Sequence, residues 1–146
     1  MRRITGKRKV AATTLEIVKA GKHYDQGSWF SRPYFNDGDD YIQTAGQLRT
    51  VFEKNVCGTT ACVAGNVVLL TLHKNDKYDW RYDRVIFGDG HEVIVDTYAR
   101  EQLGLTSEEG DWLFAPERTV EEVTEALELL ADGESISELL DEDDDE

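Results

Sequence analysis

Two cysteines and three histidines are the side chains of this chain best suited to nucleophilic or metal chemistry. Cys57 and Cys62 flank the start of an uncharged run that extends to Leu72. If that run is helical, the free N–H groups and the dipole of its first turn stabilise a thiolate there. A cysteine nucleophile also needs a base, and His23 or His91 could supply it. The plainer role fits the same residues: a cysteine in an apolar segment is usually a small buried hydrophobe. A zinc site needs four ligands in suitable geometry. His73 stands beyond Cys62 by roughly 16 Å of helix at about 1.5 Å per residue, too far to share an ion with it. There is no second cysteine pair, and neither a phosphate-binding loop nor a nucleophile elbow is present. No metal and no cofactor is therefore expected.

The run itself, Cys57-Gly-Thr-Thr-Ala-Cys-Val-Ala-Gly-Asn-Val-Val-Leu-Leu-Thr-Leu72, organises the rest. It is the one long stretch without charge in a chain that is 32% charged. Its valines suit a buried strand, but its length and interior Ala64 and Gly65 favour a helix that is apolar nearly all round. Thr59 or Thr60 is the expected N-cap. His73, Lys74 and Asn75 suit the C-terminal end. Ala61, Ala64, Gly65 and Val68 form a small-residue stripe on which a second helix can pack closely. The run is too short and too rich in Thr, Asn and Gly for a membrane span.

Cys57-Gly-Thr-Thr-Ala-Cys-Val-Ala-Gly65 resembles the CGTxxCxAG signature of a family of small bacterial and actinophage proteins. His23-Tyr-Asp-Gln-Gly-Ser-Trp29 is similar to the aspartate and tryptophan segment upstream in that family. Leu103-Gly-Leu-Thr-Ser-Glu-Glu109 with Leu113-Phe114 is similar to its downstream segment. The resemblance covers roughly residues 13 to 115. It departs at Asn66, where the signature usually has Trp or His. It implies a shared fold and a bacterial or phage origin, and carries no catalytic role with it.

The remaining elements follow from periodicity and capping. Residues 1–9 hold five cations and read as a basic flexible arm. Val10 to Ala20 reads as a helix with Ala11, Leu15 and Val18 on one face, closed by Gly21. Residues 24–41 read as loop, with Trp29 and Phe30 as anchors at the core edge. Asn36-Asp-Gly-Asp-Asp40 lacks the ligand register and distal Glu of a calcium loop. Thr44 and Gln47 announce a second helix. Residues 75–81 read as polar loop, and Tyr82–Phe87 with His91–Val95 around Asp89-Gly90 as a β-hairpin. Thr106 with Glu109, Thr119 with Glu122, and Ser135 with Glu138 spell three more capping boxes. Val120, Val123, Leu127 and Leu130 then form one apolar stripe, and Ile136, Leu139 and Leu140 a short terminal one. The expected fold is mainly α. A compact helical domain spans residues 10–140 around a buried central helix, with one small hairpin near 82–95 and an acidic disordered tail at 141–146.

Charge bears most directly on function. Residues 1–100 carry 15 Lys and Arg against 12 Asp and Glu, whereas residues 101–146 carry only Arg118 against 18 acids. Ala99–Gly110 has helix-turn-helix spacing, but the start of its second helix offers Glu108, Glu109 and Asp111. Lys and Arg supply most DNA affinity, so direct DNA binding is not expected. Met1–Lys9 lacks the apolar run of a signal peptide, and two cysteines suit a reducing cytoplasm. The composition points to a non-enzymatic acidic interaction module whose Glu121, Glu122, Glu125 and Glu128 meet a basic protein partner. With the family resemblance, that reading extends to a phage-encoded host-interaction or anti-defence protein. The alternative is the cysteine enzyme outlined above.

Overall fold

The computed structural model describes residues 3–21, 24, 30–31, 42–53 and 60–143. Its helices are α1 (Lys7–Ala20), α2 (Ala45–Glu53), α3 (Val63–Thr71), α4 (Val95–Leu103), α5 (Ser107–Leu113), α6 (Val120–Ala131) and α7 (Ser137–Asp143). Its strands are β1 (Phe30–Ser31), β2 (Ile42–Thr44), β3 (Thr60–Ala61), β4 (Lys77–Asp79), β5 (Arg84–Ile86) and β6 (Glu92–Ile94). The central helix is α3, and all nine of its residues are buried. Helices α1 and α4 pack on it, α6 lies along α1, and α7 closes on α5. Val10, Ala11 and Val18 of α1, Tyr98 and Ala99 of α4, and Val123 and Leu127 of α6 share one core with α3.

The expected mainly-α class with a lone hairpin is corrected by the sheet. The hairpin forms, with Arg84 opposite Ile94 and Val85 opposite Val93. It is only half of a four-stranded antiparallel sheet in the order β2-β4-β5-β6. Residues 77–79, expected as polar loop, pair with β5 on one side and β2 on the other. The reason is the instability of a lone two-stranded hairpin in water. Tyr78, wholly buried, pairs opposite the equally buried Val85 and so carries the sheet onto the helices. Strands of three residues are too short to show a period-two pattern, and a buried Asp79 hides what pattern there is.

Helix boundaries also move. Cys62, not Thr59 or Thr60, is the N-cap of α3, because Thr60–Ala61 pair as β3 with Phe30–Ser31. The helix ends at Thr71, before His73. Residues 3–9 are docked: α1 begins at Lys7, the Ile4 N–H donates to the Leu70 carbonyl at 2.8 Å, and Arg3 Nε donates to the Thr71 carbonyl at 2.8 Å. The capping boxes of Thr44, Thr106 and Thr119 are formed. That of Ser135 is not, since its hydroxyl accepts from the Ser137 N–H instead. Val120 leaves the expected stripe and is 49% exposed, while Val123 and Leu127 are fully buried. Gly104 and Gly133 end α4 and α6 with positive φ of 71° and 81°, a conformation that glycine adopts at least cost. Helix α7 runs to Asp143, so its backbone takes in the first three residues expected as tail.

A helix whose last carbonyls are buried needs donors from elsewhere. Arg49 of α2 provides two for α3: Nε to the Leu69 carbonyl at 2.9 Å and Nη2 to the Leu72 carbonyl at 2.5 Å. Arg3 and the Ile4 N–H serve the two carbonyls between. Arg49→Leu removes both guanidinium bonds from a buried end and should lower unfolding free energy by about 3 kcal/mol in urea titrations. Arg3→Gln, which removes one part-buried bond, should cost about 1 kcal/mol. Equal small losses for both variants would contradict this account of how α3 is closed.

Candidate functional site

Cys62 caps α3 through its sulfur, which accepts from the Gly65 N–H at 3.5 Å. The residue is 1% exposed. Burial pushes the thiol from its ordinary value near 9 up to about 12, against the smaller opposing pull of the first-turn N–H groups. The side-chain amide of Asn66 donates to the Cys62 carbonyl at 3.0 Å and fixes the turn from the other side. His91 is exposed on the hairpin, where its ring stacks on Phe87 with centroids 5.8 Å apart. His73 accepts from the Asn75 N–H through Nδ1. Cys57, His23, Trp29 and the Asn36–Asp40 segment lie outside the described residues. Among the described residues no group of three His, Cys, Asp or Glu could hold a metal ion.

The four glutamates singled out on α6 have unequal roles. Glu122 is half-buried and committed: it accepts from the Thr119 N–H at 2.9 Å and pairs with Arg118 at 2.7 Å. Glu128 meets Lys19 of α1 at 3.6 Å, with both side chains more than half exposed. Glu121 and Glu125 are exposed. With Glu128 and the exposed Asp132 they recur at intervals of four, three and four residues, which places them on one face of α6. The opposite face buries Val123, Ala126 and Leu127. In the unit resembling a helix-turn-helix, Leu105 and Leu113 are core and Glu108 is exposed.

Sequence reasoning missed the turn between β4 and β5. Tyr82 is 64% exposed there, with the guanidinium carbons of Arg84 and Arg81 at 5.0 and 5.4 Å from its ring centre. The turn is held from inside. Fully buried Asp79 pairs with Arg84 at 3.2 Å and accepts from the Arg81 N–H at 2.9 Å. Asp83 adopts a positive φ of 48°; its carboxylate accepts from the Tyr78 hydroxyl at 2.7 Å and its carbonyl from the Val95 N–H at 3.1 Å. Burial, then the bond to Asp83, raises the Tyr78 pKa. Tyr and Arg are the residue types enriched at interface hot spots. The available signal was Trp80-Arg-Tyr-Asp-Arg84, an aromatic and arginine cluster across the junction between the expected polar loop, 75–81, and the expected strand from Tyr82.

No helix among the described residues is long and apolar enough to cross a membrane. No protein-family model matches the chain, and neither a curated protein nor a solved structure matches it.

The thiol gives a pH-dependent prediction. Folded Cys62 keeps its proton where the unfolded thiol has lost it, so its contribution is complete below pH 9 and is lost as pH rises toward 12. The stability difference between wild type and Cys62→Ala should shrink by about 1.4 kcal/mol per pH unit above pH 9. Both proteins retain the buried tyrosines, whose titration cancels in the difference. A difference that stays constant to pH 11 would show an ordinary thiol pKa.

Proposed function

We propose that this protein is a non-enzymatic acidic interaction module whose α6 face engages a basic protein partner. The observation that carries the reading is the row Glu121, Glu125, Glu128 and Asp132: four exposed acids on one helical face, opposed by Lys19 alone among the described ion pairs. Such a face steers a basic surface toward itself and repels nucleic acid and anionic lipid. Glu122 is excluded from it by its cap and its pair with Arg118. The resemblance of the Cys57–Gly65 segment to small bacterial and actinophage proteins supports a phage-encoded role in a bacterial cytoplasm, as a host-interaction or anti-defence protein. The cysteine-enzyme reading loses support at Cys62, where burial works against the thiolate that catalysis needs.

The test uses an arginine-rich helical peptide as a defined basic probe in stopped-flow association across a salt series. Glu121→Gln with Glu125→Gln and Glu128→Gln should slow association about tenfold at low salt, because long-range charge acts on encounter rate. Salt should mimic the substitutions, since exposed charges are screened beyond about 8–10 Å near physiological ionic strength. Glu122→Gln should leave the rate nearly unchanged, and so should removal of residues 144–146. Identical rates for all variants with a flat salt dependence would sink the proposal. Loss confined to the truncated chain would move the site from α6 to the C-terminus.

A further inference from the structure

Residues of α1, α4, α5 and α6 line a half-open cleft of about 420 Å3. That size suits a small ligand. Leu103 and Leu105 at the end of α4 and Leu130 near the end of α6 give it an apolar wall. Lys7 and Arg8, in the first turn of α1, give it two cations. Each lies against a glycine that ends a neighbouring helix. A Cβ at Gly104 would stand 2.6 Å from Lys7 Cδ, so the lysine stem lies close over this glycine. A Cβ at Gly133 would stand 3.3 Å from Arg8 Nε, which donates to the Ala131 carbonyl at 3.2 Å.

The charged ends of these two side chains are not used up by this placement. Among the described residues Lys7 Nζ has neither a hydrogen bond nor an ion pair, and Arg8 uses only Nε. The acids in the same lining do not answer them. Glu109 spends one oxygen on the Thr106 N–H at 2.9 Å and the other on the Ser135 hydroxyl at 3.4 Å. Glu134 is exposed. The cleft therefore offers uncommitted donors beside leucine surface. The geometry points to a binding site for a small amphipathic carboxylate. Its anionic head sits between Lys7 Nζ and the Arg8 guanidinium, and its apolar body lies on Leu103, Leu105 and Leu130. The net charge of the chain, −14, does not forbid an anion here. Distant acids are screened over about 8–10 Å at physiological ionic strength, whereas the two cations act at contact.

Three probes with one apolar body and different heads test this on the full chain: octanoate, octan-1-ol and octylammonium, followed by amide NMR shifts. Octanoate should give saturable shifts at Lys7, Arg8, Leu105 and Gly133, and bind at least about tenfold more tightly than either other probe. Lys7→Gln, at an exposed position that does not threaten folding, should weaken octanoate about tenfold and leave octan-1-ol unchanged. Equal affinity for all three heads would mean adsorption to any apolar surface and would overturn the site. So would tightest binding of octylammonium, or no saturable shift with octanoate up to about 10 mM, a limit that corresponds to under 3 kcal/mol of binding.

Discussion

The C-terminal end of α3 is the constraint on which the rest of this structure depends. The helix is buried along its whole length, so its final carbonyls cannot turn to water. An unmade hydrogen bond at such a site costs about 1–3 kcal/mol, and there are four carbonyls from Leu69 to Leu72. The fold answers with donors from two other segments. Arg49 brings α2 to this end, and Arg3 with Ile4 brings the segment before α1. Thr71 adds a link to α4 through the Tyr98 hydroxyl at 2.9 Å. Burial lowers the Arg49 pKa, but a guanidinium keeps its charge, and a cation is favoured where helix carbonyls converge.

The same device explains where the basic residues go. In the sequence Arg3, Lys7 and Arg8 read as part of a flexible basic arm, far from the acidic last third. In the fold Arg3 and Arg49 donate at the end of α3 and Arg8 at the end of α6, while the stem of Lys7 lies against Gly104 at the end of α4. Because α1 lies along α6, the most basic helix covers part of the most acidic one. The contact between Lys19 and Glu128 is an exposed pair of the kind worth at most about 1 kcal/mol, so its main effect is on local charge. What survives this internal neutralisation on α6 is the single outward face of Glu121, Glu125, Glu128 and Asp132. That face is narrower than the charge count alone suggests.

Signals that are local in the chain were legible beforehand. The capping boxes at Thr44, Thr106 and Thr119 are set by side chains three residues apart, and the helix end at Gly21 by the left-handed backbone that glycine accepts. The burial of Val63–Thr71 follows from its lack of charge. What could not be read depends on distant partners. The strand Lys77–Asp79 has polar residues on both sides of Tyr78 and becomes a strand only because β2 and β5 flank it. Cys62 rather than Thr60 caps α3 because Thr60 is paired across to Ser31. The cleft at Lys7 and Arg8 joins residues nearly a hundred positions or more from Leu103 and Leu130, and no window along the chain contains it.

Cys62 shows how two opposing effects at one atom decide between function classes. A helix N-terminus favours an anion, by about 0.3–1 kcal/mol at exposed sites and up to about 2 kcal/mol when partly buried. Seen from the sequence, that is the case for a reactive thiolate. In the fold the sulfur sits among residues with no exposure, and removal from water disfavours the anion. A pKa of about 12 against an ordinary 9 corresponds to about 4 kcal/mol favouring the neutral thiol. The larger effect wins, and the dipole serves only to orient a weak Gly65 N–H bond to sulfur. A cysteine at that position therefore helps to fix where α3 begins, a role in which its polarisable, apolar sulfur tolerates the crowding that a charged nucleophile would not.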